Sequence, residues 1–191
     1  MDILQLLTEQ LTKPYPTRKM GQSVDAKPSQ VKQLAQIGVP LLLQALSNNA
    51  STKQGVNSLA TALDEHKDDD VSSVSKFLNN VDTSDGAKML QHIFGSKGNQ
   101  VQNNLAKQTG LNKNQVFGLL VQLAPLVIGA LGQEKKEKNL DASAVPSLLN
   151  GLLQQTDSGG LVGLATMLLA SDQGSSLVSD VGNMIKGMGK K

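Results

Sequence analysis

Cysteine is absent from this chain of 191 residues, and other residue types that carry chemistry are scarce. Without cysteine there is no disulfide framework, no thiolate ligand for zinc and no thiol nucleophile, and the chain fits a reducing compartment. Tryptophan is also absent, and the aromatic residues are Tyr15, Phe77, Phe94 and Phe117. So few rings argue against a base-stacking platform for single-stranded nucleic acid. They also require an aliphatic core, which suits the packing of helices on helices.

Charge and long apolar runs are limited as well. The net charge is +2, and Arg18 is the single arginine, whereas a dedicated DNA-binding domain usually carries a concentrated basic stripe. The N-terminus lacks the basic segment of a secretory signal. The longest apolar stretch, Leu119–Leu131, has 13 residues against the ~20 that cross a bilayer. We therefore expect a cytoplasmic protein without a transmembrane segment, in which this stretch is a buried core helix.

The apolar residues recur with the helical period along the whole chain, and no run alternates as a strand does. Gly95 and Gly110 end two of the predicted helices, Pro14 and Pro16 are predicted to end the first helix, and Pro28 suits the first position of a helix. The predicted helices cover residues 2–12, 17–24, 28–47, 52–65, 71–79, 85–94, 99–109, 112–132, 142–155, 161–170 and 174–188.

Two segments of the chain resemble each other at a spacing of 85 residues. Gln30–Leu46 aligns with Gln115–Leu131, and the pairs with identical residues include Pro40 with Pro125. The sequence therefore predicts an all-α multihelical bundle of about ten helices with an internal tandem duplication. Residues 1–81 form the first repeat, and residues 82–191 form the second repeat, a C-terminal helix and a short disordered tail. Because each repeat buries its apolar face against the other, we expect one shared core, with equivalent kinks at the two prolines.

The same residues resemble the YidB-like bacterial helical proteins, a family known as domain of unknown function 937 (DUF937). The resemblance lies in Pro40–Leu46, in Gly55 with Leu59 and Ala62–His66, in Gly86 with Leu90–Gly95, and in Ala124–Gly132. The family typically has Gly in place of Gln44, and Ser171–Ser176 has fewer acidic residues than its relatives. The resemblance implies a multihelical bacterial protein and no established activity.

The segment around Gly110 has the spacing of a helix-turn-helix, with Ala106 in the first helix, Gly110 at the turn and Val116 in the second helix. In a DNA-binding protein the second helix would offer Asn112, Lys113, Asn114 and Gln115 to the edges of bases. Beyond Val116 this helix is almost wholly apolar, which favours an ordinary helix corner. The equivalent corner of the first repeat has Asp25 in place of Gly110.

The remaining polar clusters favour structural interpretations. Asp64–Asp70 offers oxygen ligands and His66 for a divalent metal, but Lys67 and the spacing favour a solvated loop in which Asp70 caps the next helix. His92 lies between apolar neighbours and is predicted to be a packed helix histidine. No Ser/His/Asp arrangement follows from the spacing, and the Gly159–Gly163 segment lacks the features of a phosphate loop.

We therefore expect a non-enzymatic module that binds another protein or a second copy of itself, with no cofactor and no metal. The apolar segments contain almost no convergent titratable groups of the kind that enzymes need. Two alternatives stay open. One is nucleic-acid binding through the Ala106–Gly110–Val116 corner, and the other is a ligand-binding bundle whose proline kinks open an apolar cavity.

Overall fold

The computed structural model describes residue 7 and residues 9–156 and 160–170, and this part of the chain is helical without a strand. Residues 9–11 are helical, and the predicted helix at 174–188 lies outside the described residues. Two short 3₁₀ turns, Gly95–Lys97 and Ala142–Ala144, join longer helices. The helices are α1 (Pro14–Val24), α2 (Pro28–Asn49), α3 (Lys53–Glu65), α4 (Val74–Asn80), α5 (Thr83–Phe94), α6 (Gly98–Thr109), α7 (Lys113–Glu137), α8 (Val145–Thr156) and α9 (Leu161–Ala170).

The two longest helices, α2 and α7, form the centre of the bundle. Both are mostly apolar and buried over a long stretch, from Leu34 to Leu46 in α2 and from Leu119 to Leu131 in α7, so each needs neighbours on most sides. They contact each other. Helices α1, α8 and α9 surround α2, and α1, α3, α5 and α6 surround α7. The buried apolar side chains of the described part of the chain form one cluster, and the division into repeats at residues 1–81 and 82–191 stays a prediction.

The central prolines lie inside continuous helices, where the sequence predicts kinks. Pro40 lies within α2 and Pro125 within α7, and neither interrupts its helix. A proline has no N–H group, so the carbonyl four residues earlier lacks its helical donor. For Pro125, that carbonyl belongs to Val121. Gly86 of α5 lies directly against that carbonyl, because a Cβ atom at Gly86 would stand 2.0 Å from the Val121 oxygen.

Two predicted helix boundaries are wrong. Helix α1 begins at Pro14, before its predicted start at residue 17, because the first turn of a helix needs no N–H donor. Helix α7 continues past Gly132, close to its predicted end, to Glu137. Its charged residues are held by partners: Lys135 Nζ lies 2.6 Å from the Asp64 carboxylate, and Glu134 pairs with Lys138.

Helix α7 is also the one helix in the described part of the chain that is long and apolar enough to cross a membrane by length and composition. Its apolar window is 83% buried inside the bundle. Because α5, α3, α2, α1 and α6 all contact it, its apolar surface is used for packing, as predicted for a core helix.

The corners α1–α2 and α6–α7 have the same boundaries 85 residues apart. Helix α1 ends at Val24 and α6 at Thr109, while α2 begins at Pro28 and α7 at Lys113. Asp25 and Gly110 follow the first helix of each pair, and both have the left-handed backbone conformation, with φ of 55° and 67°. Aspartate tolerates this conformation better than most residues, so one corner forms without glycine. The tandem duplication itself stays a prediction.

Candidate functional site

Helix α5 lies on α7 and has an open groove on each flank. Its N-terminus is fixed by Asp82, whose carboxylate accepts hydrogen bonds from the backbone N–H groups of Ser84 and Asp85. Its C-terminus is held by Asn49 of α2, whose side-chain amide donates to the carbonyl of Ile93 at 3.0 Å. Between these ends, Gly86 allows close approach to α7, so α5 is a rigid wall shared by both grooves.

The larger cavity, the α3–α5 groove, separates α3 from α5 and has a volume of about 790 Å³. Its apolar residues are Leu46, Leu59, Ala62, Met89, Ile93 and Ile128. Its polar residues include Glu65, His66, Asp85, Lys88 and His92. An apolar surface edged by charges of both signs is typical of protein-binding surfaces.

The second cavity, the α5–α6 groove, lies on the opposite flank of α5 and has a volume of about 590 Å³. Its walls are α5, the turn Gly95–Lys97 and the first turns of α6, and the start of α7 contributes Phe117 and Leu120. Phe117 is 39% exposed, although a phenylalanine side chain gains free energy when it is buried. The groove therefore has an apolar ring at its surface that nothing in the described part of the chain covers fully.

A third cavity, of about 460 Å³, lies at the N-terminal end of α5 and includes Pro125 and Phe77 in its lining. His66, which follows α3, lines both this cavity and the α3–α5 groove. Its ring nitrogens face two carboxylates: Nδ1 lies 2.9 Å from Asp69 and Nε2 lies 3.6 Å from Asp85. The ring thus connects the segment after α3 to α5.

The acidic segment Asp64–Asp70 is bound to the C-terminal half of α7. Lys136 contacts Asp68 at 2.5 Å, and Gln133 donates to the backbone carbonyl of Asp69 at 2.7 Å. The hydrogen bond from Lys136 holds the pKa of Asp68 below its usual range. In the described part of the chain, no three histidine or acidic side chains are grouped closely enough to hold a metal ion.

Two smaller predictions in these segments are wrong. Ser73, not Asp70, caps α4, because Asp70 accepts hydrogen bonds from Ser72 instead. His92 is exposed at the edge of the α3–α5 groove instead of packed in the core. Its helix turns that residue outward while Ile93 and Phe94 face inward.

The Ala106–Gly110–Val116 corner joins α6, which ends at Thr109, to α7, which begins at Lys113. The N–H of Gly110 donates to the Ala106 carbonyl, and Val116 is fully buried. Of the four candidate nucleic-acid contacts, Asn112 and Gln115 cap α7 through reciprocal bonds of 2.9 and 3.0 Å. Lys113 and Asn114 are exposed at the surface.

The two corners contact each other through reciprocal hydrogen bonds. Gln30 Nε2 donates to the Gly110 carbonyl at 2.9 Å, and Gln115 Nε2 donates to the Asp25 carbonyl at 2.6 Å. The N-termini of α2 and α7 therefore lie side by side, within the reach of one glutamine side chain. Paired recognition helices that read two half-sites of DNA lie about 34 Å apart, so the two corners do not form such a pair. Nucleic-acid binding by the α6–α7 corner alone stays a prediction.

Sequence reasoning did not find the grooves. A groove depends on the spacing between two helices. The amphipathic patterns of α3 and α5 predict which face of each helix is buried, but not that a gap separates the two helices. One residue in the sequence does indicate the α3–α5 groove. Met89 is apolar but lies beside the buried stripe of α5 that Gly86, Leu90 and Ile93 form.

A family model described as a bacterial protein of unknown function, DUF937, matches residues 5–134 and 133–191. Searches of curated proteins and of solved structures found no match to this chain.

Proposed function

The chain belongs to the DUF937 family of bacterial proteins of unknown function, and from that premise we propose that it is a non-enzymatic protein-interaction module. Its binding site is the α3–α5 groove, and its ligand is an amphipathic segment of another protein in the cytoplasm. The observation that carries this proposal is the groove itself: about 790 Å³, open to solvent, with a largely apolar surface and a charged rim.

The size and chemistry of the groove favour a helical or extended segment of protein. Hydrophobic grooves between helices bind the apolar face of an amphipathic helix through anchors spaced by three or four residues. Leu59, Ala62 and Met89 offer places for such anchors. The rim carries Glu65 and Lys88, charges of opposite sign that would orient a partner and exclude wrong ones.

The arrangement around His66 supports binding over catalysis by that ring. A general base needs a free nitrogen or oxygen aimed at the substrate, whereas His66 faces Asp69 and Asp85 with its two ring nitrogens. That geometry holds α5 against the segment after α3, which gives a partner a preformed site.

Photo-crosslinking inside the producing bacterium tests the proposal. A photoreactive amino acid replaces Ser58 in the α3–α5 groove, Asn114 at the exposed corner, or Lys19 on the exposed face of α1 as a control. We expect a discrete protein adduct from position 58 and none from position 19. An adduct of twice the chain mass would identify the partner as a second copy.

Other outcomes contradict the proposal. A nucleic-acid adduct from position 114, without a protein adduct from position 58, would replace protein binding with the helix-turn-helix function. Equal protein adducts from positions 58 and 19 would show that the groove is not a specific site.

A further inference from the structure

The described part of the chain stops at the end of α9, which is held against α6. The last carbonyls of a helix have no donor within the helix. At the end of α9, the Leu168 carbonyl accepts a hydrogen bond from the Asn104 side chain of α6 at 3.0 Å. The Leu169 carbonyl accepts one from the Lys97 side chain at 3.2 Å. Gln100 lies on the same face of α6 between them, and its side-chain nitrogen is buried without a hydrogen-bond partner among the described residues. The chain therefore continues past residue 170 from a fixed position beside α6.

This exit point is close to the α5–α6 groove. Ser96 and Gly98 line the groove, and the residue between them is Lys97, which holds the end of α9. The groove and α9 lie on different sides of α6, so the chain must cross about 10 Å, the diameter of one helix. Residues 171–176 span up to ~20 Å when extended, which is enough for this crossing.

The residues that follow have the pattern of a helix with one apolar face. Their apolar side chains recur at intervals of three and four residues, at Leu177, Val178, Val181, Met184, Ile185 and Met188. A helix over residues 177–188 would be ~18 Å long. The groove runs along α5 from Ser84 to Phe94, a distance of ~15 Å at the same rise per residue.

The chemistry of the groove matches this apolar face. Its apolar lining consists of Ala87, Leu90, Phe94, Phe117 and Leu120, and Lys88 is the one charged residue among its lining residues. A groove with a single cation and no acidic residue in its lining accepts an apolar helix face and leaves Lys186, Lys190 and Lys191 in solvent. Burial of the exposed part of Phe117 would stabilise the docked helix through the hydrophobic effect.

From these four observations we infer that residues 177–188 dock as a helix in the α5–α6 groove of the same chain. The docked segment covers Phe117 and closes one flank of α5. The α3–α5 groove on the other flank stays open for a partner. The two sites differ, so failure of this inference would leave the proposed function standing.

A spin label on the segment tests the inference in the full chain. The chain has no cysteine, so Ser179→Cys creates a single attachment site for a nitroxide. Position 179 lies on the polar side of the proposed helix, away from the groove. Paramagnetic broadening falls steeply with distance, so we expect amide signals of residues 84–102 to lose far more intensity than those of α3.

Two variants of the labelled chain serve as controls. The double substitution Val181→Asp and Ile185→Asp places charges on the apolar face, and Phe117→Ala removes the exposed ring from the groove. We expect the double substitution to restore the signals of residues 84–102, and Phe117→Ala to restore them partly. Because Phe117 is partly exposed, its truncation is not expected to unfold the chain.

Three outcomes would overturn the inference. Broadening could be absent at residues 84–102, or it could persist unchanged in the double variant. It could also appear in an isotope-enriched chain without a label when that chain is mixed with a labelled, unenriched chain. The last result would place the segment in the groove of a second copy.

Discussion

At the scale of single residues, one glycine decides how closely α5 approaches α7. A Cβ atom on Gly86 would lie 2.0 Å from the Val121 oxygen and 3.2 Å from Pro125 Cγ. We therefore expect Gly86→Ala to lower the free energy of unfolding by about 3 kcal/mol, through overpacking against backbone that cannot yield easily. Urea denaturation followed by circular dichroism measures the change.

Gly151 of α8 provides the matched control, because no atom lies within 4 Å of the Cβ that an alanine would add there. Gly151→Ala should raise the free energy of unfolding by about 0.5–1 kcal/mol, since alanine loses less backbone entropy in a helix. Equal effects of the two substitutions would show that the α5–α7 contact is looser than described.

Asp141 gives the protein a pH dependence at the start of the turn Ala142–Ala144. The Ser143 hydroxyl and the Ala144 N–H donate to its carboxylate, and these bonds hold the pKa of Asp141 below its usual range. A lowered folded-state pKa stabilises the protein above the usual pKa of aspartate, and the contribution disappears as pH falls through the folded value.

The expected result is a difference in stability between the native chain and Asp141→Asn that is constant above about pH 5 and shrinks below about pH 4. Urea denaturation at a series of pH values measures it. A difference that grew as the pH fell would contradict the assigned hydrogen bonds.

At the scale of elements, the corners α1–α2 and α6–α7 are structural contacts. Gln115 both caps α7 and donates to Asp25 of the other corner, so Gln115→Ala should lower the free energy of unfolding by about 1–2 kcal/mol. Lys113→Ala and Asn114→Ala, at exposed neighbouring positions, should change it by less than about 0.5 kcal/mol. Denaturation of the three variants under identical conditions checks this ordering, and equal losses would contradict it.

The same elements show how far the sequence predicts the fold. Gly95 and Gly110 mark true helix ends because a left-handed residue is a local requirement, and Pro28 marks a true start. Helix α7 is longer than predicted because Asp64, 71 positions earlier in the chain, pairs with Lys135. Such a partner is brought close only by the folded chain.

The candidate site was less predictable for the same reason. Asn112 and Gln115 could be identified as a capping pair, yet the bond from Gln115 to Asp25 crosses 90 positions. The α3–α5 groove joins Leu59 to Met89 and Ile128, three side chains on three helices. The sequence pattern of each helix predicts which face is buried, but not where two helices leave a gap between them.

At the scale of the whole molecule, the described helices share one hydrophobic cluster, and α2 contacts α7 directly. We therefore expect residues of both halves to unfold together. In methyl NMR spectra recorded through a urea series, the signals of Leu42 and Leu126, both fully buried, should disappear with one midpoint. Two separate midpoints would show that residues 1–81 and 82–191 are independent domains.

The proposed function depends on access to the α3–α5 groove, and two arginine substitutions on α3 differ in that respect. Ala62 lines the groove, whereas Asn57 is exposed and does not line it. Arg at position 62 fills the groove, and Arg at position 57 adds the same charge to the same helix outside it. Both variants should retain the stability of the native chain in urea denaturation.

The most direct test is the yield of the photo-crosslinked adduct from position 58 in the cell, measured in these two variants. We expect Ala62→Arg to abolish the adduct and Asn57→Arg to leave it unchanged. An adduct that survives in Ala62→Arg, at native stability, would contradict the claim that the α3–α5 groove is the binding site.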